Sequence, residues 1–326
     1  METVASIEWS WWWYAGFAAF VLVALAIDLV VLDKKAGQKV TVKEALIWSA
    51  IWFSLSFVFA AGMWWHLDGS VGRELANLKT TEFLTGYLIE KSLSVDNIFV
   101  FLMIFTYFAI PAEHQRRALV LGVIGAIVLR VIMILIGAWL IAKFHWVLYL
   151  FGLFLLATGV KMLIFADQKP DLEANPVLKW MRGHLKITSN LHGEQLTVMK
   201  DGVKWFTPMF VVLVLIGVTD VVFAVDSIPA IFAITSDPFI VLTSNIFAIL
   251  GLRALYFLLA DMADRFHLLS YGLALVLMFV GVKMLIVDFY KIPVFLSLGV
   301  VGLILTSAIV ASLVIPRKPE VAKAEG

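Results

Sequence analysis

The sequence predicts an all-α polytopic membrane protein, and two observations carry this prediction. Of the 326 residues, 62% are hydrophobic and 15% are charged, and the mean hydropathy of +0.97 is far above that of soluble globular proteins. Apolar runs of about 20 residues, the length that a helix needs to cross the hydrocarbon core, recur along the chain. We predict nine such transmembrane helices, at about residues 13–33, 44–66, 83–108, 117–141, 147–165, 207–235, 239–264, 268–287 and 293–315.

The distribution of basic residues predicts the orientation of these helices, because cytoplasmic loops carry an excess of Lys and Arg. Of the 25 Lys and Arg residues, sixteen fall in one set of alternate loops, four in the other set and five inside the spans. This predicts an amino terminus outside and a carboxyl terminus in the cytoplasm. The first dozen residues contain Glu2 and Glu8 but no basic residue, so we do not expect a cleaved signal peptide.

An internal repeat predicts the architecture. Residues 159–164 (GVKMLI) recur unchanged at residues 281–286, and residues 144–164 match residues 266–286 at 11 of 21 positions. Each copy contains three spans, an odd number, so the second copy must enter the membrane from the opposite side. This predicts an inverted 3+3 repeat, which is typical of secondary transporters. The alignment also pairs three polar positions: Glu90 with Asp220, Asp96 with Asp226, and Arg130 with Arg253.

The repeat divides the chain into five predicted segments. Two N-terminal helices occupy residues 1–82, the first repeat 83–165, a cytoplasmic loop 166–206, the second repeat 207–288, and the last helix with its tail 289–326. Within the loop, residues 176–185 are expected to form a short amphipathic helix and residues 195–206 a hairpin. No phosphate-binding glycine loop occurs, so we expect neither a nucleotide nor a nucleic acid as partner.

Acidic residues inside the predicted spans indicate a cation site. An ionisable group at the bilayer centre costs roughly 2.5 to 3.5 kcal/mol on insertion scales, so several of them in one chain suggest a function. Carboxylate, amide and hydroxyl oxygens suit hard cations such as Mg²⁺, Ca²⁺ and Mn²⁺. We therefore predict that the metal ligands are Glu90, Asp96, Asn97, Asp220, Asp226 and Ser227. Additional ion or proton sites are predicted at Asp28, Ser94 and Asn245. Arg130 and Arg253 are expected to balance the charge of these acids.

Other site types are disfavoured by composition. The chain has no cysteine, which excludes a disulfide, a thiolate metal site or an iron–sulfur cluster of its own, and its six histidines all fall in loops or at span ends. We expect no permanently bound cofactor and no enzymatic activity.

The spacing of the acids predicts two levels of negative charge. Glu90 and Asp226 should lie nearer the outer face, while Asp96 and Asp220 should lie about 9 Å deeper, because each pair is six residues apart. The same spacing points the two acids of one regular helix about 120° apart. Pro229 offers a place where the sixth helix could be interrupted, since it lacks an N–H group.

Several of these segments resemble the TerC family of integral membrane proteins, and in particular a manganese-exporting branch of that family. The matching text covers residues 83–93 (FLTGYLIEKSL), 95–97 (VDN), Asp220, 223–233 (FAVDSIPAIFA), 237–245 (DPFIVLTSN) and 247–253 (FAILGLR). The resemblance implies a helical fold like that of the LysE superfamily, export of Mn²⁺ across a bacterial inner membrane, and metal ligands at Glu90, Asp96, Asp220 and Asp226. The older family labels of tellurium resistance and redox modulation describe phenotypes.

One departure from the resemblance concerns Gly217, where relatives carry Glu three residues before Asp220. At that spacing a carboxylate would share a helix face with Asp220. The metal affinity, the choice of ion and the direction of transport therefore stay open on the sequence.

The sequence leaves two main hypotheses. The first is a secondary transporter that exports Mn²⁺, with other hard divalent cations as further substrates, in exchange for H⁺; Na⁺ stays open as a coupling ion, and the oligomeric state is unknown. The second is a membrane-embedded metal sensor, or an assembly or regulatory subunit of a stress-response complex, without transport turnover. An intramembrane redox or proteolytic enzyme is a third class, which the absence of cysteine and the shallow histidines disfavour.

Overall fold

The computed structural model describes residues 9–34, 40–144, 146–164, 172–173, 175–200, 202–260 and 268–315, without the side chains of Asp28, residues 31–34, Val95, Asp96 and Phe99. Eleven helices and one two-stranded hairpin are described in these ranges. They are α1 (Trp11–Lys34), α2 (Val42–Ser70), α3 (Arg73–Tyr107), α4 (Ala112–Lys143), α5 (Val147–Ile164), α6 (Pro176–His184), β1 (Thr197–Lys200), β2 (Val203–Phe206), α7 (Pro208–Phe232), α8 (Pro238–Leu250), α9 (Leu252–Ala260), α10 (Leu269–Leu285) and α11 (Val294–Val314).

The prediction of an all-α membrane protein is confirmed. In the described ranges, α2, α4, α5, α7 and α11 are long and apolar enough to cross a membrane, and the bent pair α8–α9 makes a sixth candidate. The apolar parts of α1 and α10 are shorter, and α3 carries charged side chains along its 35 residues. The count of nine transmembrane helices therefore stays a prediction.

The predicted seventh span is not one straight helix. It is divided at Gly251 into α8 and α9, whose axes differ by 40°. The Nζ atom of Lys91 donates to the carbonyl oxygen of Ala248 at 3.2 Å and so satisfies a backbone group at the end of α8. A side chain at Gly251 would collide with this amine, since its Cβ would lie 2.6 Å from Lys91 Nζ.

Short polar side chains set where several helices begin. Thr41 caps α2, with its hydroxyl accepting from the Glu44 amide at 3.2 Å. Thr207 caps α7 and Asp237 caps α8, and each is followed by a proline at the first helical position, where the missing N–H is not needed.

α3 lies at the centre of the helix bundle and packs against α2, α7, α8, α9 and α11. On one side of it, α5 and α10 approach at backbone distance. A Cβ atom at Gly159 would lie 2.8 Å from the Ala274 carbonyl oxygen, and one at Gly281 would lie 2.8 Å from the Gly152 carbonyl oxygen. Only glycine permits this approach, which places α5 against the core around α3 and α7.

The loop between the repeats contains α6 and an antiparallel hairpin that pairs Thr197 with Phe206 and Lys200 with Val203. Leu178 and Met181 of α6 are buried against apolar side chains of α3, α4 and α7. Gly202 has a φ of 73°, which the tight turn of the hairpin requires. The loop thus packs onto the end of the bundle where α7 begins.

Candidate functional site

Arg130, near the middle of α4, is the centre of a buried ion-pair network. Its guanidinium donates to both carboxylate oxygens of Asp220, with Nε to Oδ2 at 3.2 Å and Nη2 to Oδ1 at 3.0 Å. Nη1 donates to Glu90 Oε1 and, at 2.8 Å, to Asn245 Oδ1, and it lies 3.4 Å from Ser227 Oγ. Arg130 is 1% exposed and Glu90 is 0% exposed. One cation therefore joins side chains of α3, α7 and α8 in the protein interior.

A cavity of about 60 Å³ lies beside this network, between α3, α4, α5, α7 and α10. Three buried oxygen atoms on its lining residues have no hydrogen-bond partner among the described residues: Glu90 Oε2, Asn97 Oδ1 and Asp226 Oδ1. Buried acceptors without partners are rare, because each loses its hydration without compensation. A cation in the cavity would supply the missing partner, and the volume is enough for an ion with a small number of water molecules.

The site combines acidic and basic side chains. The carboxylates of Glu90 and Asp220 pair with Arg130, the Lys91 amine also acts on Glu90, and the Thr158 hydroxyl and the Lys161 amine act on Asp226 from α5. Glu90 and Asp226 nevertheless each keep one buried oxygen without a hydrogen-bond partner among the described residues. Among the described side chains, no three His, Asp or Glu residues lie close enough together to hold a metal, so Asn97 and other neutral donors are needed to complete a site.

The two long helices deliver these side chains through a seven-residue spacing, which differs from the six-residue spacing that the sequence suggested. Seven residues of a regular helix turn through about 700°, within about 20° of two full turns. Glu90 and Asn97 consequently share one face of α3, and Asp220 and Ser227 share one face of α7. Both helices are continuous across the site.

Two expectations about this geometry are wrong. Pro229 lies inside an uninterrupted α7, so it does not break the helix, and the neighbouring helices stabilise the turn that lacks its hydrogen bond. Glu90 and Asp220 do not occupy separate levels either, because Arg130 contacts both carboxylates at once.

The other predicted site residues are distributed as follows. Ser94 is buried and donates to the Glu90 carbonyl oxygen at 2.8 Å, so its hydroxyl is engaged within α3. Asn245 and Ser227 accept from Arg130. Arg253 is buried in α9. Asp28 and Asp96 lie in α1 and α3, and their side chains are outside the described residues.

Sequence reasoning missed the contribution of α5. Thr158 and Met162 line the cavity from this helix, although the repeated motif at 159–164 indicated only the internal duplication. The available signal was their spacing, since residues four apart face the same side of a helix and Thr158 is a polar residue in an apolar run.

A second buried charge cluster lies near the start of α3, and we name it the Lys79 cluster. Lys79 Nζ lies 2.9 Å from Glu82 Oε2 and 3.4 Å from Asp237 Oδ2. Thr235 donates to Glu82 at 2.7 Å, and the Trp9 indole donates to Asp237 at 2.9 Å. Lys79 and Glu82 are both less than one tenth exposed. The cluster ties the loop between α7 and α8 to α3 and to the segment before α1.

The chain is similar to known membrane proteins over most of its length. Residues 75–320 match the integral membrane protein TerC family. A protein of Escherichia coli strain K12 named membrane-bound redox modulator Alx is 56% identical over 288 residues, covering 88% of this chain and 90% of its own. The protein of that name from Photorhabdus laumondii is 52% identical over 92% of this chain and 94% of its own. A membrane protein of Myxococcus xanthus is 48% identical over 97% and 96%. No solved structure gives a significant match.

Proposed function

Because this chain belongs to the TerC family of integral membrane proteins, we propose that its buried cavity carries Mn²⁺ out of the cytoplasm as part of a secondary transport cycle. The observation that carries the proposal is the set of three buried oxygens, on Glu90, Asn97 and Asp226, that have no partner among the described residues and belong to side chains lining one cavity. Oxygen donors of this kind bind hard divalent cations.

The packing of the helices supports an inverted repeat. α3 packs against α8 as α7 packs against α4, and α5 packs against α7 as α10 packs against α3. Gly152 meets Gly281 while Gly159 meets Ala274, and the repeat pairs Gly152 with Ala274 and Gly159 with Gly281. Exchanged contacts of this kind are what a two-fold axis between the copies produces. Transporters of this architecture bind substrate where their repeats meet.

Export of a divalent cation requires an energy source. Moving two positive charges out against an inside-negative potential costs about 4.6 kcal/mol per 100 mV. Protons entering from outside supply this energy, because Glu90 and Asp226 can bind either a proton or the metal. The excess of Lys and Arg in one set of loops supports an amino terminus outside and a carboxyl terminus in the cytoplasm of a bacterial inner membrane, which would orient the exchange.

A second candidate is a metal sensor or regulatory subunit without turnover. The name of the Escherichia coli relative, a membrane-bound redox modulator, favours this reading. A thiol mechanism is not available to this chain, which has no cysteine. In such a role the cavity would bind Mn²⁺ and change the shape of the bundle, but would release the ion on the same side.

Flux of Mn²⁺ into proteoliposomes separates these functions. Purified protein is reconstituted with a Mn²⁺-quenched dye inside the vesicles, with and without an imposed pH gradient. The proposal predicts flux that rises with the gradient and falls to the level of empty vesicles in Glu90→Gln and in Asp226→Asn. Asp68→Asn is the matched control, because Asp68 pairs with Arg73 at the end of α2, outside the site. Metal binding without flux in the parent would favour the sensor, and flux in both site variants equal to the parent would contradict the proposed site.

A further inference from the structure

Helix α5 contributes a methionine, Met162, to a cavity whose other potential metal ligands are oxygen atoms. Thr158 and Met162 are four residues apart, so they share one face of α5, and both line the cavity. The apolar residues that complete the lining, Leu93, Phe223 and Leu277, carry no donor atom. Met162 is the one lining residue that carries sulfur, and it also packs against the apolar cluster that contains Met284.

A thioether changes which cations such a site prefers. Mg²⁺ and Ca²⁺ are hard ions that bind oxygen and gain little from sulfur. First-row transition ions such as Mn²⁺ and Fe²⁺ are more polarisable and accept softer donors beside oxygen. Carboxylate, amide and hydroxyl oxygens suit Mg²⁺, Ca²⁺ and Mn²⁺ alike, so a site made only of them would be occupied mainly by the more abundant of these ions.

We infer that Met162 is a specificity-determining residue whose thioether faces the transported ion and biases the cavity toward transition-metal ions over Ca²⁺ and Mg²⁺. This inference rests on the proposed function of the cavity. It adds a fourth donor, a sulfur atom, to the oxygens of Glu90, Asn97 and Asp226, and it assigns to α5 a direct part in selecting the substrate.

The internal repeat provides a matched control. The position equivalent to Met162 in the second copy is Met284, in the same GVKML sequence. Met284 is buried in the contact between α5 and α10, where its Cβ lies 2.9 Å from the position of a Cβ built at Gly152, and it is not a lining residue of the cavity. Met284 fills apolar space, which is the usual role of a core methionine. The same substitution at the two positions therefore separates loss of a donor from loss of packing.

The test measures transport of Ca²⁺ and the inhibition of that transport by Mn²⁺ and by Cd²⁺, an ion similar in size to Ca²⁺ but softer in character. Parent, Met162→Leu and Met284→Leu proteins are reconstituted in proteoliposomes. Leu for Met keeps the side-chain volume, so both variants should fold. Since the chain has no cysteine, a thioether is the soft sulfur ligand that Cd²⁺ can find.

We expect Met162→Leu to transport Ca²⁺ while the preference for Cd²⁺ and for Mn²⁺ over Ca²⁺ falls on the order of tenfold, the loss typical when a metal site is altered at one supporting group. Met284→Leu should retain the parental ratios. Equilibrium binding of the same ions in detergent gives these ratios for any variant that reconstitutes poorly.

Unchanged ratios in Met162→Leu, with divalent transport in the parent, would overturn the inference and leave the proposed function standing. Equal changes in both variants would assign the effect to packing and would also overturn it. A parent that neither binds nor moves any of these ions would remove the proposed function itself, and the role of Met162 with it.

Discussion

Replacing Arg130 by Met should destabilise the protein strongly, because the guanidinium compensates two buried carboxylates. Arg130 contacts both oxygens of Asp220 and one oxygen of Glu90, and none of the three side chains is more than 2% exposed. Removing one partner of a buried ion pair costs about 3 to 5 kcal/mol, since the remaining charge stays buried without compensation. For domains of about 150 to 250 residues, 1 kcal/mol shifts the melting temperature by about 2 to 4 °C, and the shift decreases with size. Taking the lower figure for this chain of 326 residues, we expect a decrease of roughly 6 to 10 °C.

Thermal unfolding in detergent, followed by the fluorescence of the twelve tryptophans, measures this decrease. Arg73→Met is the control, because Arg73 forms an exposed pair with Asp68 and its loss should leave the melting temperature near that of the parent. The triple variant Arg130→Met, Glu90→Gln, Asp220→Asn should recover most of the loss, because it removes the uncompensated charges. If Arg130→Met melts within about 2 °C of the parent, the network does not hold the bundle together and the reasoning is refuted.

Two further predictions concern helix packing and the Lys79 cluster. Gly159→Ala should lower the melting temperature, because the added Cβ would lie 2.8 Å from a backbone oxygen of α10. Gly217→Ala is the control: its Cβ would meet no atom within 4 Å, so the melting temperature should stay unchanged or rise. Equal effects of the two substitutions would contradict the close approach of α5 and α10. Lys79→Met should leave the buried carboxylates of Glu82 and Asp237 uncompensated and so loosen the loop between α7 and α8. A cysteine introduced at Thr235, in this loop, should then react faster with a water-soluble maleimide than the same cysteine in a protein that keeps Lys79. Equal reaction rates would show that the Lys79 cluster does not hold this loop against α3.

The sequence predicted the elements of the bundle better than their shape. Long apolar runs and capping residues indicate where helices occur, because burial in lipid leaves the backbone few alternatives. The break at Gly251 was not predicted, since it depends on Lys91, a residue 160 positions away that satisfies the end of α8. A single glycine within an apolar run does not reveal such a contact.

For the candidate site, too, the sequence indicated which residues belong to it but not how they are arranged. Acidic residues are conspicuous in an apolar span, so Glu90, Asp220 and Asp226 could be identified from their positions in the predicted helices and in the repeat. Their arrangement could not, because it depends on which helix faces meet. The six-residue interval in the repeat suggested two levels of charge, whereas Arg130 joins Glu90 to Asp220 directly. Met162 could not be distinguished from a core methionine until α5 was placed beside α7.

Equilibrium binding of Mn²⁺ to the purified, metal-free protein tests whether the cavity beside Arg130 binds this ion. The loss of the aqueous Mn²⁺ resonance in electron paramagnetic spectra reports the bound fraction for the parent, for the double variant Glu90→Gln, Asp226→Asn, and for Asp68→Asn. We predict saturable binding in the parent and in Asp68→Asn, and an affinity at least about tenfold weaker in the double variant, because two carboxylates with unpartnered oxygens are replaced by neutral amides. Binding of equal affinity in all three proteins would place the metal outside the cavity and contradict the proposed site.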